Sequence, residues 1–134
     1  MMPSSTCGIV HIGSAKSRGR VLIVDDEPLV RWSLASALRT AGFDPVAASC
    51  GPEAVALARL RPAPAAVLVD LDLYDTDALV LVEHIHAVAP ACAILGLTTA
   101  GHEAAVRASW EAVPLIRKPF DLAAVVRLVE REIM

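Results

Sequence analysis

Four short apolar runs in this chain each end in a polar group. Val21-Leu22-Ile23-Val24 runs into Asp25-Asp26-Glu27, and Ala66-Val67-Leu68-Val69 into Asp70. Ile94-Leu95-Gly96-Leu97 runs into Thr98, and Leu115-Ile116 into Arg117-Lys118-Pro119. Runs this short and this rich in Val, Ile and Leu, separated by helical stretches, predict buried parallel strands. In open parallel sheets, ligands bind beyond the carboxyl ends of the strands. Four polar endings at one sheet edge would gather carboxylates, a hydroxyl and a lysine into one site.

From residue 20 onward the pattern is βα repeated five times. Strands are expected at about 20–25, 43–48, 65–70, 92–97 and 113–117. Pro28 suits the first turn of a helix that stops at Gly42. Its apolar face would be Leu34 and Leu38 with Val30 and Ala41. A second helix opens at Gly51-Pro52 and runs to about Leu60. A third covers about 78–88, capped by Asp75, Thr76 or Asp77, and a fourth about 102–111. The last covers about 122–133, capped by Asp121. Right-handed crossovers of this length leave helices on both faces of a doubly wound α/β sheet. Residues 1–19, rich in Ser and Gly and without periodicity, read as a flexible tail, and residues 20–134 as one domain.

The composition narrows the setting. At 134 residues and 55% hydrophobic, the chain can bury an aliphatic core, and aromatics make up only 4%. No apolar run approaches the roughly 20 residues that span a bilayer. Cys7, Cys50 and Cys92 are scattered and form no CxxC pair, which points away from a metal knuckle or a disulfide framework and toward a cytoplasmic setting. The net charge of −3 argues against nucleic-acid binding by this domain. Seven of the 15 acids fall in two short segments, Asp25-Asp26-Glu27 and Asp70, Asp72, Asp75, Asp77. Clustered carboxylates repel unless neutralised, and a hard divalent cation is the simplest partner.

Taken singly, each group has an ordinary explanation. An Asp after a strand is usually a cap or loop residue, and a lone Lys a solvated charge. Their order and spacing on a five-fold βα pattern say more. Asp25-Asp26, Asp70, Thr98 and Lys118-Pro119-Phe120, with the local motifs VLIVDDE, VLVDLDL, LGLTT and RKPF, resemble the receiver domain of two-component response regulators over residues 20–134. The resemblance implies a flavodoxin-like, five-stranded parallel sheet of order 2-1-3-4-5. It implies that Asp70 is the phosphoacceptor, taking a phosphoryl group from a histidine kinase or phosphotransfer protein. Asp26 would bind Mg²⁺ directly and Asp25 through water, with Asp70 and the backbone carbonyl of Asp72 completing the protein ligands. Thr98 would hydrogen-bond a phosphoryl oxygen, and Lys118, before a cis Pro119, would pair with its charge. Such a domain is a signalling module and not an enzyme in the usual sense. It is expected to signal through the face made by its fourth helix, fifth strand and fifth helix, and the fourth and fifth helices are also candidate homodimer faces.

Several positions depart from the family pattern. Tyr74 stands where proline is usual and Ala78 where glycine is usual. The stretch from Thr98 to Lys118 is about two residues short, and Leu115 replaces the aromatic that swings inward on phosphorylation. Asp72 sets a further carboxylate beside the site, either strengthening metal binding or hindering an anionic donor. A second reading is therefore a degenerate pseudo-receiver that binds partners without phosphorylation. A third, a phosphatase of the haloacid dehalogenase type suggested by Asp70-Leu71-Asp72, leaves Asp25-Asp26 unexplained. His84, His86 and His102 are expected at the surface, and Trp32 and Trp110 as packing groups. The chain is expected to be either a single-domain regulator or a part of a longer protein.

Overall fold

A computed structural model describes residues 17–73, 77–99 and 113–133. In chain order the elements are β1 (Arg20–Val24), α1 (Pro28–Thr40), β2 (Asp44–Ala48), α2 (Gly51–Arg59), β3 (Ala66–Asp70), α3 (Ala78–Val88), β4 (Ala93–Thr99), β5 (Leu115–Lys118) and α4 (Leu122–Ile133). The helix expected at about 102–111 lies outside the described residues, as do Tyr74, Asp75, Thr76, Cys7, His102 and Trp110. The strands form one parallel sheet of order β2-β1-β3-β4-β5, which is the expected 2-1-3-4-5.

Alternation along the strands builds two cores, one on each face of the sheet. Leu22, Val24, Val67 and Val69 pack with Ala54 and Ala58 of α2 and Leu81 and Ile85 of α3. Val21, Ile23, Leu68, Leu95 and Leu97 pack with Leu34 and Leu38 of α1 and Val125 and Val129 of α4. Both faces are covered, so the central strands need apolar residues on both sides over Val21–Val24 and Ala66–Val69, and this explains why they read as continuous runs. The expected α1 face holds: Leu34 and Leu38 are fully buried, with Val30 and Ala41 packed at the core's margin.

The helix ends follow local chemistry. Pro28 occupies the first turn of α1, and Gly42, at φ +97°, carries the chain out of it in a conformation that suits glycine. The Asp77 carboxylate accepts the N–H groups of Leu79 and Val80 at the start of α3, and Asp121 accepts that of Ala123 in α4. Ser17, Arg18 and Gly19 precede β1. The Arg18 guanidinium meets Glu130 of α4 at 2.7 Å, donates to the Ala41 carbonyl, and lies 4.7 Å from the centre of the Phe43 ring.

Three expectations need correction. β4 runs on to Thr99, two residues beyond the expected end, because Thr98 and Thr99 pair with Arg117 and Lys118 of β5. β5 begins at Leu115 and not at 113, since Pro114 has no N–H to give a ladder and its carbonyl accepts from Gly96. Trp32 is not a packing group: it is 67% exposed on the outer side of α1. His84 and His86 are exposed, as expected.

Candidate functional site

The sheet register brings the polar strand endings to one edge. Val24 lies opposite Val69, so the next residues, Asp25 and Asp70, fall side by side as the chain leaves β1 and β3. Asp70 itself pairs with Leu97, one residue before Thr98, and Thr99 pairs with Lys118. The strand order sets Asp25 and Asp70 on adjacent central strands, with Thr98 and Lys118 following on the same side.

Three carboxylates converge there. Asp25, Asp26 and Asp70 each offer an oxygen, and these oxygens all lie within 4.8 Å of one another. Asp25 is fully buried and Asp70 is 3% exposed, while Asp26 is open to solvent. Lys118 supplies the local cation. Its Nζ lies 2.8 Å from Asp25 Oδ2, and 3.5 Å from both Asp70 Oδ2 and Glu27 Oε1. The Lys118–Pro119 peptide is cis.

Backbone donors fix the acids. Asp25 Oδ1 accepts the Glu27 N–H at 2.9 Å, and Asp70 Oδ1 accepts the Asp72 N–H at the same distance. The Asp72 carboxylate turns to β4, where Oδ2 accepts the Thr99 N–H at 3.0 Å. Thr98 is fully buried, and its hydroxyl donates to the Thr99 carbonyl across a long 3.4 Å.

The electrostatics are those of an under-neutralised acid cluster. Burial pushes the Asp70 carboxyl above its ordinary range, the Asp72 N–H pulls it back, and the charge of Asp25 raises it further. Burial works against the Lys118 ammonium. The Asp25 hydrogen bond and the charges of Asp70, Asp25 and Glu27 outweigh that and hold it above the usual lysine value.

Every expected site residue therefore lies at this edge. Beyond the Asp72–Thr99 hydrogen bond and the Lys118–Asp25 ion pair, two further contacts had not been expected. Glu27 reaches Lys118, and Arg31 Nη1 donates to the Asp25 carbonyl at 2.8 Å. The only sequence hint was the four-residue spacing that puts Glu27 and Arg31 on one side of the first turn of α1.

The family model for the response regulator receiver domain matches residues 21–130. The DNA-binding transcriptional regulator NtrC of Salmonella typhimurium is 35% identical over 118 residues, covering 87% of this chain and 25% of that protein. The photosynthetic apparatus regulatory protein RegA of Cereibacter sphaeroides is 37% identical over 106 residues, covering 78% of this chain and 56% of that one. This chain thus spans a quarter to little more than half the length of these relatives. Among solved structures, NtrX from Brucella abortus in complex with ADP superposes with a TM-score of 0.76 at 28% identity, covering 86% of this chain and 27% of that chain. A CheY-like receiver domain protein from Methanospirillum hungatei, at 22% identity and a TM-score of 0.73, covers 85% of this chain and 92% of its own and shares the fold.

Proposed function

This chain belongs to the response regulator receiver family of two-component systems, and from that premise we propose that Asp70 accepts a phosphoryl group from a histidine kinase or phosphotransfer protein. The observation that carries this reading is the meeting of Asp25, Asp26, Asp70 and Lys118 at one sheet edge. An Asp70 carboxylate oxygen attacks phosphorus, forming an O–P bond as the P–N bond of phosphohistidine breaks. The imidazole leaves with the electron pair, and Asp70 becomes an acyl phosphate.

Two anions must approach for this to occur, so the demand is for charge neutralisation and aim. Lys118 supplies one positive charge 3.5 Å from the nucleophile. Thr98 supplies a hydroxyl for a phosphoryl oxygen, released from its long bond to the Thr99 carbonyl. The carboxylates of Asp25, Asp26 and Asp70 fit Mg²⁺ in donor chemistry, being hard oxygens that converge within 4.8 Å of one another. In this reading Asp26 and Asp70 would hold the ion directly and Asp25 through water, and the Asp72 carbonyl would add a ligand. When bound, Mg²⁺ offsets the charge of the phosphoryl oxygens.

The same reading makes residues 20–134 the signalling module and gives the output to a protein surface that includes β5 and α4, with no base contacts of its own and a cytoplasmic setting. No helix of the described residues is long and apolar enough to cross a membrane.

Incubation with Mg²⁺ and acetyl phosphate tests the proposal by intact-mass spectrometry. The expected result is a gain of one phosphoryl group in wild type and none in Asp70→Asn. No gain in wild type would overturn it.

A further inference from the structure

α1 and α4 lie on the same face of the sheet and leave an open, mainly apolar groove of about 670 Å³ between them. Trp32, Ala37 and Ala41 line one wall, and Leu122, Ala123 and Val126 the other. Trp32 is 67% exposed, and Leu29, one turn earlier on α1, is 72% exposed. A contiguous apolar patch open to water marks an interaction surface. α1 begins soon after Asp25-Asp26 and α4 soon after Lys118-Pro119, so one end of the groove lies beside the acid cluster.

The chain itself leads into the other end. Arg18 is held there from both walls. Its N–H donates to the Gly42 carbonyl, its guanidinium donates to the Ala41 carbonyl, and the same guanidinium meets Glu130 at 2.7 Å. Ala41 lines the groove, and Glu130 stands one turn beyond Arg127, which also lines it. Residues 1–16, outside the described residues, therefore join the domain at the mouth of the groove. They carry the apolar run Ile9-Val10-His11-Ile12. Ile12 lies five residues before Ser17, about 17 Å of extended chain. Ala41 to Trp32 spans nine residues of α1, about 14 Å. The run is thus within reach of the whole groove.

We propose that Ile9-Val10-His11-Ile12 docks in the α1–α4 groove of its own chain, seating its apolar side chains against Trp32, Ala37 and Val126. A short tether holds the run at roughly millimolar effective concentration beside the groove, so a modest contact energy fills it. A second copy of the chain offers the same run only at its bulk concentration. The seated run covers the apolar surface beside the acid cluster and leaves the acids themselves open.

The test uses the full chain carrying Val10→Asp and Ile12→Asp together, which puts charge into the run and leaves both cores unaltered. The Trp32 indole N–H and the amides of Ala37, Ala41, Ala123 and Val126 are followed by ¹H–¹⁵N spectroscopy. Acrylamide quenching of Trp32 fluorescence is measured in chains that also carry Trp110→Phe. The groove signals are expected to shift while those of β1 and β3 stay in place, and Trp32 quenching is expected to rise roughly twofold, because buried charge is expelled from an apolar groove. The wild-type spectrum is expected to be the same at about 20 and about 500 μM, as a tethered contact requires. Unchanged groove signals on charging the run would overturn the proposal. Shifts along β2 in their place would assign the run to the sheet edge, and groove signals that move with wild-type concentration would assign the groove to a second copy; either result would overturn it as well.

Discussion

Replacing Lys118 by Met should expose how heavily the buried acids depend on one cation. Lys118 Nζ sits 2.8 Å from Asp25 Oδ2, with side chains 15% and 0% exposed. At an effective dielectric constant of 20, two unit charges about 4 Å apart attract by about 4 kcal/mol. Removing one partner of a buried pair typically costs 3–5 kcal/mol, since the other is left uncompensated. Here Asp25 keeps the Glu27 N–H, and Lys118 retains some solvent contact, so the lower end of that range applies. Lys118→Met is therefore expected to lose about 3 kcal/mol of unfolding free energy, measured by urea denaturation in EDTA with an unchanged m-value. The double variant Lys118→Met with Asp25→Asn should recover part of this, with a coupling of about 1–2 kcal/mol, since no buried charge is stranded on Asp25. A loss under about 1 kcal/mol in the single variant, or strict additivity in the double, would mean that Lys118 does not neutralise the buried acids.

Further outcomes follow from the same geometry. Asp70→Asn should stabilise the fold by about 1 kcal/mol at neutral pH by removing a desolvated negative charge from the acid cluster. The sign with pH follows from the raised carboxyl: the folded state holds this proton more tightly than the unfolded, so the cost of ionising Asp70 is absent below its unfolded value and fully present above its folded one. The advantage of Asp70→Asn should accordingly fade as unfolding is measured at progressively lower pH, and a constant advantage would contradict it. Mg²⁺ at a hundredfold excess over its dissociation constant should stabilise wild type by about 2.7 kcal/mol in thermal or urea unfolding. Asp26→Asn, at an exposed position, should lose most of this effect at the same Mg²⁺ concentration while folding normally in EDTA. Leu38→Ala, at a fully buried position, should cost about 2–5 kcal/mol in urea unfolding, whereas Trp32→Ala should stay within about 0.5 kcal/mol of wild type.

The parts legible in the sequence were those set by local periodicity and by strand ends. Val21–Val24 of β1 and Ala66–Val69 of β3 are buried on both faces, so these positions had to be apolar, and the runs stood out against Asp25 and Asp70. The cap of α4 was equally legible, because Asp121 acts within two residues, whereas α3 had three candidates in Asp75, Thr76 and Asp77, of which Asp77 accepts the first N–H groups. What escaped depends on partners distant in sequence. Thr98 and Thr99 extend β4 only because β5 lies alongside, a pairing that no local pattern encodes. Trp32 was expected as a packing group, yet Leu34 and Leu38 fill the α1 side of the core and leave it outside. The Asp72 carboxylate was placed beside the site, but its grip on Thr99 spans 27 residues of sequence and emerges only from the folded sheet.

At the chemical level, phosphoryl transfer to this chain comes down to one bond, the acyl phosphate at Asp70. Wild type loaded with a phosphodonor in Mg²⁺ and then treated with borohydride should have that acyl phosphate reduced to an alcohol, turning the aspartate into homoserine. Tandem mass spectrometry of the digest then locates the change. The expected result is homoserine at position 70 and at no other aspartate, dependent on both donor and Mg²⁺; homoserine at Asp25, Asp26 or Asp72, or none anywhere, would contradict the account.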